Sequence, residues 1–177
     1  MKKKGRGPTK IYARICICGD HSWVTLNDGN VCFSSPCDIE KLTERSWYAR
    51  RDKSTFYAVA ATTVDGKRKS IYLHREIFDN PVDRCVDHIN GNGLDNRRPN
   101  IRLCLHGQNR MNAIKRKPSK YSKYKGVYFN RRTKRWLSII QAGGESFFLG
   151  YFGSENDAKI AHQKAMLIHH KEFARMQ

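Results

Sequence analysis

Asp87, His88, Asn100 and Asn109 are side chains suited to cutting a phosphodiester. A divalent ion that assists such a cut takes hard oxygen ligands. A carboxylate such as Asp87 and an amide carbonyl such as Asn109 qualify, with phosphate oxygens completing the shell. A neutral imidazole such as His88 can take a proton from the attacking water. Asp87 and His88 are neighbours on a predicted strand, so their side chains start on opposite faces. Metal and base roles at adjacent positions therefore require the chain to bend at the loop that begins at Asn90. An amide such as Asn100 can hold that loop, or the histidine backbone, by hydrogen bonds. The residue types alone leave a plain loop open as well, because Asp, Asn and Gly make ordinary Asx turns.

The cysteines offer a second chemistry. Cys16-x-Cys18 and Cys32-x4-Cys37, with His21 nearby, hold enough donors for a tetrahedral zinc site. Their spacing is not the Cys-x2-Cys of a zinc ribbon. Ile15-Cys16-Ile17-Cys18 also alternates as a strand would, and free cysteine packs as a small apolar residue. Packed thiols are the preferred reading, with structural Zn²⁺ as the alternative. Cys85 and Cys104 read as core positions.

The elements that must position these groups can be traced along the chain. Residues 11–33 alternate apolar and polar around Asn27-Asp28-Gly29-Asn30, which predicts two strands and a turn. Residues 38–42 predict a short helix. Residues 56–64 and 67–74 flank Asp65-Gly66, the preferred chemistry for a tight hairpin. Cys85 to Ile89 predicts a strand, Asn90 to Asn100 a polar loop, Ile101 to Leu105 a second strand, and Gly107 to about Ile114 a helix. Lys115 to Lys120 lacks apolar residues and predicts a linker. Beyond it, residues 126–129, 135–141 and 146–152 predict three strands. Ser154 predicts a helix cap with Asp157 three residues on. Ala158, Ala161, Ala165 and Ile168 predict the buried face of that helix.

The chain has 177 residues with 34 Lys+Arg against 16 Asp+Glu, a formal charge of +18. That excess points to a polyanionic partner, nucleic acid or an acidic membrane surface. Residues 110–135 concentrate it, with Lys and Arg throughout and no acid. No apolar run reaches the roughly 18–20 residues of a membrane span. The basic N-terminus is not followed by the apolar stretch of a secretory signal. A soluble cytoplasmic protein is expected, with residues 1–10 as a basic arm.

The run Val86-Asp87-His88-Ile89-Asn90-Gly91-Asn92-Gly93-Leu94-Asp95-Asn96-Arg97-Arg98-Pro99-Asn100-Ile101-Arg102, followed by Gln108-Asn109, closely resembles the HNH endonuclease family. It is most similar to the phage and homing type with Asn at the third signature position. Tyr72-Leu73-His74-Arg75-Glu76-Ile77-Phe78 resembles the segment that often precedes the core in that group. The resemblance implies a ββα-metal fold with His88 as general base. It implies Asp87 and Asn109 as ligands of one Mg²⁺ or Mn²⁺, and Asn100 as the residue orienting His88 and the loop. His74 receives no catalytic role from it, and a packed structural histidine is expected there. Arg97, Arg98 and Arg102 are candidate phosphate contacts, with plain surface solvation equally open.

Tyr124-Lys125-Gly126-Val127, Arg135-Trp136, Phe148-Leu149-Gly150-Tyr151-Phe152 and the segment from Ala158 to Arg175 resemble the ethylene-response-factor type of DNA-binding domain. That resemblance implies a three-stranded antiparallel sheet, backed by a helix, that reads the major groove. Lys125, Tyr128, Asn130, Arg132, Arg135 and Gln141 then fall in or beside the reading strands, and Trp136 is expected in the core. Tyr128, Asn130 and Ile139 depart from the plant pattern, so its base preference does not carry over.

Together these readings predict an α+β chain. A basic arm and β-rich leader occupy 1–70, a nuclease core 71–114, a basic linker 115–123, and a sheet-plus-helix module 124–177. The expected activity is metal-dependent hydrolysis of double-stranded DNA. A monomer with one site nicks, and a double-strand break requires a dimer or two events. The alternative is a non-enzymatic DNA-binding transcription factor with an inactive core.

Overall fold

A computed structural model describes residues 13–52, 55–113 and 122–174. The basic arm at 1–10 and the linker at 115–120 lie outside the described residues. The chain is mixed α+β and divides into two compact units, Met1–Leu103 and Cys104–Gln177. The division falls inside the segment expected as one nuclease core.

The first unit begins with an antiparallel meander of β1 (Ala13–Ile15), β2 (Ser22–Thr25) and β3 (Val31–Ser34). The turn between β2 and β3 closes through Leu26 N–H to Asn30 O at 2.8 Å, with Asp28 accepting from the Asn30 amide at 3.3 Å. The alternation at 15–18 does not continue the strand. β1 stops at Ile15, because Gly19 N–H bonds back to Cys16 O at 2.8 Å and turns the chain. After α1 (Ile39–Thr43) comes a second sheet of β4 (Tyr48–Asp52), β5 (Thr55–Val64) and β6 (Lys67–Tyr72), also antiparallel. The hairpin closes at Asp65-Gly66 as expected. Its return strand ends at Tyr72, and Leu73 already opens α2 (Leu73–Ile77).

β7 (Cys85–His88) and β9 (Ile101–Cys104) pair as a two-stranded sheet. Between them the polar loop contains a strand of two residues, β8 (Asp95–Asn96). It joins the first sheet in parallel beside β3, with Phe33 opposite Asp95 and Ser34 opposite Asn96. The core beneath is built from Val24, Leu26, Cys32, Leu42, Trp47, Ala58, Leu73, Val86 and Ile101. Trp47 is fully enclosed and satisfies its indole N–H on Leu42 O at 3.0 Å, as a buried indole must. Cys104 is buried as expected, and Cys85 is half-buried.

The second unit holds α3 (His106–Asn112), β10 (Val127–Asn130), β11 (Arg135–Ala142), β12 (Glu145–Phe152) and α4 (Glu155–His169). β10, β11 and β12 form an antiparallel meander with a bulge between Ser138 and Ile139. Ser154 caps α4 by accepting from the Asp157 amide at 3.1 Å. The buried face of α4 is Ala158, His162, Ala165 and Met166, and Ile168 is 69% exposed. The small-residue spacing therefore locates the stripe but misses its polar member. His162 lies against Gly126, whose φ of +72° and missing side chain leave room for the ring. Among the described residues no helix is long and apolar enough to cross a membrane.

Candidate functional site

The loop from His88 to Asn100 is tied by its own side chains. Asn90 Oδ1 accepts from the Asn92 amide at 2.8 Å, and Asn92 Oδ1 from the Leu94 amide at 3.1 Å. These are successive Asx turns. Gly93 then passes close to Phe56 O and the Tyr57 ring, where a Cβ would collide, and its N–H donates to Thr55 Oγ1 at 3.0 Å. Asn100 closes the loop at both ends of its amide. Its Oδ1 accepts from the Asn90 N–H at 3.0 Å, and its Nδ2 donates to Asp95 O at 2.7 Å. Its backbone O also accepts from the Ile89 N–H at 2.8 Å.

Asn100 is thus a loop clamp, and it acts on the backbone that follows His88. The side chain that meets the imidazole is Asn96. His88 Nε2 lies 3.1 Å from Asn96 Oδ1. Asn96 is fully buried and donates its Nδ2 to Cys32 Sγ at 3.2 Å, which fixes the orientation of the amide. A carbonyl oxygen can only accept, so Nε2 carries the proton and the lone pair of the neutral ring lies on Nδ1. Burial pushes the His88 pKa down, against the opposing pull of Asn96, Asp87 and Asp95. Burial thus favours the neutral ring, the form a base needs. Sequence reading misses Asn96 because it sits in a run of turn formers, and only its pairing with β3 shows that it is buried.

Two further rings wall the imidazole. His74 on α2 meets His88 edge-on at 5.1 Å, and Tyr57 on β5 lies 5.7 Å away. His74 is buried, as expected of a structural histidine. Burial, then His88 and Arg75, push its pKa down to about 3. Among the described residues its Nδ1 has no hydrogen-bond partner.

Asp87 and His88 meet different neighbours, as adjacent strand residues do. Asp87 is buried, and its Oδ2 receives Nε of Arg102 at 3.0 Å and Nη2 at 2.9 Å. Arg97 and Arg98 each span both oxygens of their carboxylate. Arg97 forks onto Asp95 through two 2.7 Å bonds, and Arg98 forks onto Asp38 at 2.8 and 2.9 Å. All three aspartates are buried. The arginines expected to contact phosphate thus each neutralise a buried carboxylate, Arg97 and Arg98 in the bidentate geometry to which guanidinium is suited. The outer parts of Arg97 and Arg98 still face solvent, whereas Arg102 is mostly enclosed. In Asp95, burial works to raise the pKa, and the Arg97 and Asn90 bonds outweigh it, leaving the carboxyl below its usual range. Asn109 lies on α3 in the second unit, its amide bonded to Leu105 O at 3.0 Å.

In the second unit, Tyr128, Asn130, Arg135 and Gln141 fall on the sheet face opposite α4, since Tyr128 pairs with Leu137 and Asn130 with Arg135. Tyr151 and Phe148 extend that face as an exposed aromatic pair 5.3 Å apart. Trp136 lies on the helix side, packed against Phe129 at 5.1 Å. Arg132 is exposed in the turn between β10 and β11. Asn130 Oδ1 accepts from the Arg132 and Thr133 amides at 3.0 and 3.2 Å, so its side chain shapes that turn. Lys125 is no surface reader. Its Nζ donates to Arg110 O, Met111 O and Ala113 O at 2.8–3.1 Å, capping the C-terminal carbonyls of α3, and burial lowers its pKa.

The four-cysteine zinc set is not assembled. Cys32 is buried under Asn96, where burial pushes its pKa up to about 12, and Cys37 sits beside Asp38. The donors that converge among the described residues are Cys16, Cys18 and His21.

The chain matches no protein-family model, no curated protein and no solved structure.

Proposed function

We propose that the protein is a metal-dependent DNA endonuclease of the HNH type that nicks double-stranded DNA. The observation that carries this reading is the His88–Asn96 contact. It supports a neutral imidazole whose lone pair lies on Nδ1, in a loop that Asn100 holds at both ends. His88 takes a proton from water at that nitrogen, and the hydroxide attacks the phosphorus while the 3′-oxygen departs. Asp87, a buried carboxylate, suits Mg²⁺ or Mn²⁺ as a hard oxygen donor, and the resemblance assigns Asn109 as a further ligand. The ion would supply positive charge to the phosphate oxygens as charge builds there. Arg97 and Arg98 contribute their solvent-facing N–H groups to the backbone. The open sheet face bearing Tyr128, Arg135 and Gln141, with Arg132 at its edge, is the DNA-reading surface.

The second reading is a DNA-binding protein without catalysis. The Arg102 fork on Asp87 favours it, because it occupies the carboxylate that the metal requires. Plasmid incubated with Mg²⁺ or Mn²⁺, against an EDTA control, separates the two. The nuclease reading expects nicked circles from the wild type, and none from a His88→Ala protein that still binds DNA. Undiminished nicking by that variant rejects His88 as the base. Metal-independent or absent cutting by the wild type rejects the nuclease.

A further inference from the structure

We propose that Cys16, Cys18 and His21 form a zinc site at the β1–β2 turn, with water as the fourth ligand. This site is separate from the nuclease reading and does not depend on it.

The geometry comes from the turn. The β1–β2 ladder ends at Ile15 opposite Ser22. Cys16 N–H then bonds to His21 O at 2.8 Å, so Cys16 and His21 face each other across the ends of the two strands. Gly19 N–H bonds to Cys16 O at 2.8 Å and folds the tip, with Cys18, back toward that pair. Three residues that are not adjacent in sequence thus converge through the backbone bonds of the turn. Their donor atoms all lie within 4.8 Å of one another.

The spacing suits zinc. With Zn–S near 2.3 Å and Zn–N near 2.0–2.1 Å, the edges of a tetrahedral site are about 3.4–3.8 Å. Cys18 Sγ and His21 Nδ1 are 3.8 Å apart. The His21 ring is held edge-on to Phe33 at 5.7 Å and against Trp23 at 5.9 Å, which sets its orientation. Two soft thiolates and an imidazole select zinc over the hard cations that carboxylates hold. Packing does not account for the thiols, since Cys18 is exposed and Cys16 only half-buried, in contrast to the enclosed Cys32. Three protein ligands and a water fill the shell.

The ion would tie the turn end of the β1–β2 hairpin. That hairpin belongs to the sheet whose far edge is β8, the strand that carries Asn96.

Cobalt substitution in the reduced, full-length protein tests the proposal. Co²⁺ is expected to give a thiolate-to-cobalt charge-transfer band that saturates at one equivalent and is displaced by Zn²⁺. The band is expected to vanish in Cys18→Ser and in His21→Ala. It is expected to persist in Cys37→Ser and in Asp87→Asn. Cys18 is exposed, so its serine variant is expected to keep the wild-type circular dichroism spectrum and to separate ligand loss from unfolding. Absence of the band in reduced wild type overturns the site. So does a band that His21→Ala leaves unchanged, or one that Cys37→Ser removes.

Discussion

The Nε2 of His88 and the Oδ1 of Asn96 are 3.1 Å apart, and that contact decides which nitrogen of the imidazole can accept a proton. Replacing Asn96 by Ala removes the acceptor and frees the ring to change tautomer. Nicking is expected to fall by roughly tenfold or more, the scale on which outer partners of site residues act. DNA affinity is expected to stay near wild type. Asn96→Asp puts a carboxylate beside the ring and raises the His88 pKa. The acid limb of the pH–rate profile is therefore expected to move to higher pH, a shift that a purely structural role for Asn96 would not produce.

Lys125 and Arg135 lie within one module and are expected to behave differently in salt titrations of DNA binding. Each phosphate contact removed lowers the salt slope by about one. Arg135→Ala is expected to lower the slope. Lys125→Met is expected to leave it unchanged, because Lys125 spends its donors on the last carbonyls of α3. The cost of Lys125→Met is expected in stability instead, about 1 kcal/mol by urea unfolding.

What could be read in the chain beforehand follows the range of the interactions. The Asp65-Gly66 hairpin, the β10–β12 meander and the Ser154 cap rest on contacts between near neighbours, and each is visible as local chemistry. β8 is two residues long and pairs with β3, more than sixty positions away, so no periodicity announces it. Asn96 is buried only through that pairing. The arginine forks have the same cause, since Arg98 finds Asp38 at a separation of 60. At Cys16 and Cys18 the alternation is real, but the turn closed by Gly19 N–H overrides it. In α4 the small residues mark the stripe, while His162 hides in it because a polar residue carries no apolar signal.

Each unit contains a buried histidine with a depressed pKa, His74 at about 3 and His162 at about 4, burial being the main cause in both. The unfolded chain titrates near 6.5 and so binds more protons than the folded one between that pH and the folded values. Stability is expected to be full above about pH 6.5 and to fall as the pH is lowered toward 4. Urea midpoints measured across that range check it. His162→Leu is expected to flatten the acid-side loss, whatever it does to stability at neutral pH.

Gly126 is expected to tolerate no side chain. Its φ of +72° is a left-handed conformation, and a Cβ would run into the His162 ring and Ile139 O. Gly126→Ala is expected to cost about 2–4 kcal/mol, combining backbone strain with overpacking. Thermal unfolding of the full-length variant measures it. Gly143→Ala is the matched control, since its φ is also positive at +61° but none of the described residues lies within 4 Å of the added carbon.

Asp87 and Arg102 bear most directly on whether the site takes a metal. Both are largely enclosed, and the pair is joined by two bonds to one oxygen. Breaking such a pair from one side leaves a buried charge without its counter-ion, at a cost of about 3–5 kcal/mol. Arg102→Ala is therefore expected to lower the urea midpoint in EDTA. A divalent ion at Asp87 would replace the lost positive charge. It would stabilise the variant by RT ln(1 + [L]/Kd), about 2.7 kcal/mol at a hundredfold excess over Kd. Mg²⁺ is thus expected to restore much of the lost stability in Arg102→Ala and to do less for the wild type, where Arg102 competes for the carboxylate. Asp87→Asn is expected to abolish the Mg²⁺ response in both backgrounds. A Mg²⁺ response that survives Asp87→Asn would place the ion elsewhere. The absence of any response in Arg102→Ala would leave Asp87 as a structural partner of Arg102 alone.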